Sequence, residues 1–368
     1  MTSWREMKWG DLITLEYGKS LQEYRERKAK YRVFGTNGPI GWSDESLCSK
    51  PTVIVGRKGA YRGIHFSLEP CFVIDTAFYL KPKVDFDMRW AYYQLLTQDI
   101  NGMDSGSAIP STSRDDFYQL SVNVPPLDQQ KKIAEILFDL DSKIELNNQM
   151  NKTLESIAQS LFKRWFVDFE FPGHKETRFI DGLPIGWRYG KFGEIINNFD
   201  SKRVPLSSRE REERKGEYPY YGAASVVDYV DGYLFEGIYV LLGEDGTVVR
   251  DNGFPALQYV WGKFWVNNHA HVLQGKGDIP TEYILLLLQQ TNVRHIVTGA
   301  VQPKINQNNM NNLPVLVPTQ EILSEFNRVI KPIYENFRNN LEEVRLLTQI
   351  RDSLLPKLVE GELRVKVI

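Results

Sequence analysis

The stretch "VIVGRKGAYRG" at residues 53–63 has an echo at residues 240–250, which read "VLLGEDGTVVR". In both, three aliphatic residues run into a glycine, two charged residues and a second glycine, the pattern of a strand entering a tight tip. The tips differ in sign: Arg57 and Lys58 stand in the first, Glu244 and Asp245 in the second. Working outward, the echo belongs to a longer repeat. "WREMKWGDLI" at 4–13 aligns with "WRYGKFGEII" at 187–196, so that Trp4, Arg5, Lys8 and Gly10 recur as Trp187, Arg188, Lys191 and Gly193. "VFGTNGPIGW" at 33–42 faces "YYGAASVVDY" at 220–229, and the two tips follow in the same frame at an offset of 187. Beyond the tips the offset becomes 193: "DTAFYL" from Asp75 matches "NHAHVL" from Asn268, and "GSAIPSTSRDDFYQL" matches "GAVQPKINQNNMNNL", with Gly106, Pro110 and Leu120 recurring as Gly299, Pro303 and Leu313. A frame that holds across turns, strands and helices marks a duplicated unit.

Each unit has two textures. Residues 1–126 and 187–318 are rich in aromatic and β-branched residues broken by Gly, Pro, Asn and Ser, which predicts short, mostly antiparallel strands with one amphipathic helix near 87–99 and 280–293. Residues 127–168 and 319–358 carry apolar side chains at alternating spacings of four and three: Ile133, Leu137, Leu140, Ile144, Leu154, Ala158 and Leu161, then Phe326, Ile330, Ile333, Phe337, Val344, Leu347 and Leu354. That is the seam of a coiled coil, and two seams in one chain should pack on each other. Pro332, opposite Asp139, predicts a break, because an interior proline costs about 3 kcal/mol. The expectation is therefore a short helix followed by a long one of about 25 residues, roughly 40 Å, in each copy, restarting near Asp141 and Pro332. The second long helix should end at Pro356. Asn147 and Asn340 occupy equivalent seam positions and are either wet sites or register-fixing polar contacts. Residues 169–186 read as a linker and 359–368 as a tail.

Composition narrows the function class. A chain of 368 residues with 42% hydrophobic content can bury two or three compact units. Its longest apolar run, "YILLLL" at 283–288, is too short to span a membrane, and the polar start has no signal-peptide core, so a cytoplasmic protein is expected. Cys48 and Cys71 fit no zinc motif and read as plain thiols. The net charge of −2 does not announce a nucleic-acid binder, so any such contact must come from local patches.

Reacting groups are scarce. The sequence contains no phosphate-binding loop, no H-E-x-x-H and no G-x-S-x-G. His269 and His271 fall at alternate positions of an expected strand without a third metal ligand, and Asp115 and Asp116 read as a helix start rather than an acid–base pair. The expectation is no catalytic residue, no metal and no cofactor on this chain. What remains is a set of loop residues suited to reading base edges and holding phosphates. In the first copy these are Lys19, Asn37, Arg57, Lys58, Tyr61, Arg62 and Arg114. In the second they are Lys202, Arg203, Glu244, Asp245, Asn267, Asn268, His269, Gln302, Lys304 and Asn306. The aromatics between them, Trp42, Phe66, Phe72, Phe78 and Tyr79 against Tyr229, Phe264 and Trp265, read as core.

With "PPLDQQKKIAEIL", "SLFKRWFVDFEF", "GAVQPKINQNNMNNLPV", "VFGTNGPIGW", "IVGRKGAY" and "DTAFYL" in view, the chain resembles the specificity subunits of type I restriction-modification systems over essentially its whole length. The resemblance implies an α+β fold of two target-recognition domains separated by two long helices that form an antiparallel coiled coil with pseudo-twofold symmetry. It implies a DNA-binding, non-catalytic subunit that recognises a bipartite, asymmetric double-stranded DNA site. Two methyltransferase subunits and restriction subunits would be its partners, and S-adenosylmethionine, ATP and Mg would belong to them. The "GEDG" tip and the missing Asn-Gly turn in the second copy depart from the family pattern and weaken any transfer of contacts there. A bivalent scaffold binding peptides or glycans is the alternative.

Overall fold

A computed structural model describes residues 4–25, 28–103, 109–299 and 301–366. Gly106 of the repeat lies outside the described residues. The chain divides into two compact units, residues 1–148 with 342–368, and residues 149–341.

In the first unit, a four-stranded sheet is ordered Ile13–Tyr17, Ala77–Pro82, Thr52–Gly56, Ile64–Ser67, all antiparallel. Thr52–Gly56 is buried at every position, so its run of β-branched residues is packed on both faces. A second, three-stranded sheet is ordered Gly38–Ser43, Tyr31–Gly35, Cys71–Val73, and its last pair is parallel. The helix Met88–Leu96, capped by the Asp87 carboxylate on the Arg89 and Trp90 N–H groups, lays Trp90, Ala91 and Leu95 onto the larger sheet with Trp9, Phe78 and Phe117. Asp115 and Asp116 do start a helix, Arg114–Gln119, whose N-cap is Ser113.

The second unit repeats this plan. Its strands Ile196–Asn198, Ala270–Gly275, Phe235–Gly243 and Leu257–Val266 stand in the same order, followed by Lys215–Tyr221 and Val226–Val230, to make one six-stranded sheet. The two sheets of the first unit are one sheet here because Leu257–Val266 runs unbroken through both pairings, to Phe235–Gly243 and in parallel to Lys215–Tyr221. Its counterpart in the first unit is interrupted at Glu69-Pro70, where proline removes a ladder donor. The helix Thr281–Gln289 matches the expected one.

The repeat is legible in single hydrogen bonds. Arg5–Lys8 pairs with Ser121–Val124, and Arg188–Lys191 pairs with Pro314–Val317 in the same register. The Trp9 N–H donates to Leu120 O, as the Phe192 N–H does to Leu313 O.

The expected helix breaks are absent. Leu127–Phe166 and Gln320–Val359 are each one helix of 40 residues, about 60 Å long. Pro332 and Arg328 both lie on the exposed face, so the Arg328 carbonyl that loses its helical donor can be served by water. Pro356 is also exposed and lies inside the helix rather than at its end.

The seams pack as their spacing predicts. Within the first unit, Asp141 accepts from Arg351 at 2.8 Å and Glu343 accepts from the Asn147 amide at 2.8 Å. Within the second, the Asn340 amide donates to Asn151 Oδ1 at 2.9 Å, and Phe162 and Phe166 meet Phe326. In each unit the partner number falls as the helix rises, so the pairing is antiparallel. Asn147 and Asn340 are buried rather than wet, and each has its own partner.

Candidate nucleic-acid interface

The first tip is the loop between Thr52–Gly56 and Ile64–Ser67, held from three sides. The N–H groups of Arg57 and Lys58 donate to Thr76 O, Gly59 N–H donates to Pro110 O at 3.0 Å, and Arg57 O accepts from Thr112 N–H at 2.9 Å. Gly59 has φ +123, a conformation that glycine alone adopts without strain.

The equivalent bonds recur in the second unit. Glu244 N–H donates to His269 O at 2.8 Å, Gly246 N–H to Pro303 O at 3.1 Å, and Ile305 N–H to Glu244 O at 2.9 Å. Arg57 and Glu244 therefore occupy one scaffold position in two copies.

Around that position the chemistry is exchanged. In the first unit the Arg57 guanidinium lies 4.7 Å from the centroid of Tyr17 and 5.8 Å from that of Phe78, and donates to Asp75 O at 2.9 Å. Arg114 lies 5.1 Å from the same Tyr17 ring, and its hydrogen bonds to the Tyr118 and Tyr17 hydroxyls raise its pKa. Lys19 and Lys58 are exposed beside them.

In the second unit the positions of Tyr17 and Phe78 are taken by Asp200 and His271. Arg203 reaches Glu244 at 2.7 Å and Asp200 at 3.6 Å, and Lys304 reaches Glu244 at 3.3 Å. His271, buried, has Nδ1 2.5 Å from Asp200 and Nε2 2.8 Å from Ile305 O. Burial opposes ionisation of Asp200, but the His271 hydrogen bond and charge, the Val272 N–H and Arg203 outweigh it and hold its carboxyl below the usual value. His269 pairs with Asp245 outside this cluster. The first tip thus gathers positive charge with no ion pair among the described residues, whereas the second is largely neutralised from within.

Several sequence expectations change here. Arg62 is only 2% exposed and donates to the carbonyls of Gly59, Ile100, Asn101 and Met103, so it holds the loop up rather than facing a ligand. Asn267 is buried and accepts from the His269 N–H, and Asn306 caps the helix Gln307–Asn311. Glu244 is committed to Arg203 and Lys304. His269 lies in the turn before the strand that carries His271, and His271 does have two carboxylates close by, Asp200 and Glu244, within 4.8 Å. Arg203 and Lys304 already supply that pair with positive charge, so a metal ion would meet occupied ligands.

Asn37 joins the first tip, its amide 3.0 Å from Tyr61 O when the nitrogen faces it. Tyr61, Lys202, Asn268 and Gln302 are exposed. Phe72, Phe78, Phe264 and Trp265 are core as expected, while Tyr229 is 52% exposed. Cys48 and Cys71 are buried free thiols on facing backbone positions. Tyr17 and Asp200 were not singled out by sequence reasoning, while Phe78 was read only as core and His271 only as a strand residue without a third metal ligand. The signal was the repeat frame itself, which aligns Tyr17 with Asp200 and Phe78 with His271. No helix among the described residues is long and apolar enough to cross a membrane.

Known proteins share this organisation. The type I restriction modification DNA specificity domain matches residues 1–156 and again 184–351. The MjaIX specificity subunit of Methanocaldococcus jannaschii is 26% identical over 309 residues, covering 77% of this chain and 71% of the relative. The HindI specificity subunit of Haemophilus influenzae is 24% identical over 347 residues, 74% of each chain. The crystal structure of a type I restriction-modification S subunit from M. genitalium superposes with a TM-score of 0.72 at 18% identity, over 99% of this chain and 97% of that one, which shows a shared fold. With two copies of the specificity domain spanning most of its length, the chain belongs to the type I restriction-modification DNA specificity family.

Proposed function

We propose that the chain reads a bipartite, asymmetric DNA sequence for a type I restriction-modification complex, one half-site per domain. Residues 1–126 and 187–318 are the two readers, and 127–168 and 319–358 are the spacers that set the distance between half-sites and receive the partner subunits. Two methyltransferase subunits and the restriction subunits dock on it. They carry S-adenosylmethionine, ATP and Mg and perform adenine methylation and cleavage, while this chain supplies address rather than reaction.

The observation that carries this reading is the exchange at one scaffold position: the same hydrogen-bonded tip presents Arg57 against the packed rings of Tyr17 and Phe78 in one domain and Glu244 within an ion-pair network in the other. A duplicated scaffold that kept its backbone bonds while exchanging this chemistry is suited to two different short sequences, because base edges are distinguished by donor and acceptor pattern. The test is genome-wide mapping of methylated adenines in cells carrying the chain with its modification subunit. A single two-part motif with an unread gap is expected. Active methylation without such a motif would refute the reading and favour a scaffold for other ligands.

A further inference from the structure

We infer that the first tip is a guanine-reading site, in which Arg57 faces the N7 and O6 acceptors of one guanine in the first half-site and Tyr17 is the positioning residue that holds it there. The inference rests on the DNA-reading role proposed above and adds the base and the mechanism of its selection.

Arg57 is fixed at both levels. Its backbone is tied by Thr76 O and Thr112 N–H, and its guanidinium is held against Tyr17 and Phe78, whose rings lie 4.9 Å apart at 58°. One guanidinium nitrogen donates to Asp75 O. Five N–H donors are available on an arginine, and no carboxylate pairs with this one among the described residues. Aromatic faces attract the cation without consuming its donors, so the fork stays available. Arg114 on the same Tyr17 ring adds a second positive charge that an acceptor-rich partner would relieve.

The major-groove edge of guanine offers two acceptors at the spacing of that fork, whereas adenine would set its amino group against a donor. Tyr17 is 46% exposed although it ends a strand and packs on Phe78, as expected of a side chain that forms the wall of a surface site. The preference is confined to the first domain, because at the matching positions of the second, Asp200, Glu244 and His271 satisfy one another and Arg203.

The experiment measures affinity of the full chain, bound to its modification subunits, for duplexes carrying the mapped site with each guanine of the first half replaced in turn by 7-deazaguanine, which lacks N7. One position is expected to lose on the order of tenfold, part of the roughly 5- to 150-fold that a bidentate contact is worth. Arg57→Gln should bind the guanine duplex weakly and be insensitive to 7-deazaguanine at that position. Tyr17→Ala should lose most of the discrimination while Tyr17→Phe keeps it, which a general loss of folding would not produce. The inference is overturned if the first half-site holds no guanine or no guanine is sensitive. It is also overturned if Arg57→Gln weakens specific and unrelated duplexes equally with discrimination intact, the signature of a phosphate contact. A complex that prefers no sequence at all would instead defeat the DNA-reading role itself.

Discussion

The unequal charge of the two tips should appear in the salt dependence of binding. Lys19 and Lys58 are exposed beside Arg57 and have no ion pair among the described residues, so each is available to a phosphate. Lys304, at the matching tip of the second domain, lies 3.3 Å from Glu244 and shares it with Arg203. Each phosphate neutralised contributes about 0.9 to the slope of log affinity against log salt. Replacing Lys19 and Lys58 together by Gln should therefore reduce the slope by about 1.8. Between about 50 and 200 mM salt, the deficit of the double variant should shrink roughly tenfold. Lys304→Gln should change the slope by well under 0.9, because its charge is already spent inside the protein. Fluorescence anisotropy across a salt series on the mapped duplex, with the partner subunits present, reads both numbers. An unchanged slope in the double variant, or an equal loss from Lys304→Gln, would refute the assignment of charge to the two tips.

Arg62→Ala should destabilise the first unit by about 3–5 kcal/mol in a denaturant titration, since it removes a buried side chain that donates to four carbonyls, of which Ile100 O keeps a second donor in the Met103 N–H; a change near zero would mean that Arg62 is not structural. Asp200 is held below its ordinary carboxyl value in the folded chain, so its contribution is present above about pH 4 and is lost as pH falls through the lower folded value. Asp200→Asn should accordingly lower stability at neutral pH and flatten its decline in acid, as followed by unfolding midpoints across pH. Adding one heptad to both long helices lengthens each by about 10 Å, or roughly three base pairs of duplex. Adenine-methylation mapping should then show a longer gap with both half-sites intact, and an unchanged gap would remove the spacer role.

How far the sequence could be read depended on whether a feature was local. The repeat, the helices Met88–Leu96 and Thr281–Gln289, the helix start at Asp115 and Asp116, and the coiled-coil seams were legible because each rests on periodicity, capping chemistry or a constant frame, whereas the antiparallel direction came only with the family resemblance. The breaks expected near Asp141 and Pro332 did not occur, since a proline on the solvated face of a packed helix costs less than its average penalty. The loop residues were only partly legible. Residue type singled out Arg62, Asn267 and Glu244 as readers, but burial turned them to carbonyls, a turn N–H and two cations. Conversely, Tyr17 and His271 gained their roles from Arg57 and Asp200, partners too far along the chain for composition to say anything.

The central claim is that each half of the chain reads its own half of one DNA site. Exchanging residues 1–126 for the corresponding domain of a relative with a different target, and mapping methylated adenines, tests it most directly. The account predicts a new first half, an unaltered second half and an unaltered gap. A motif changed in both halves, or in neither while methylation persists, would contradict it.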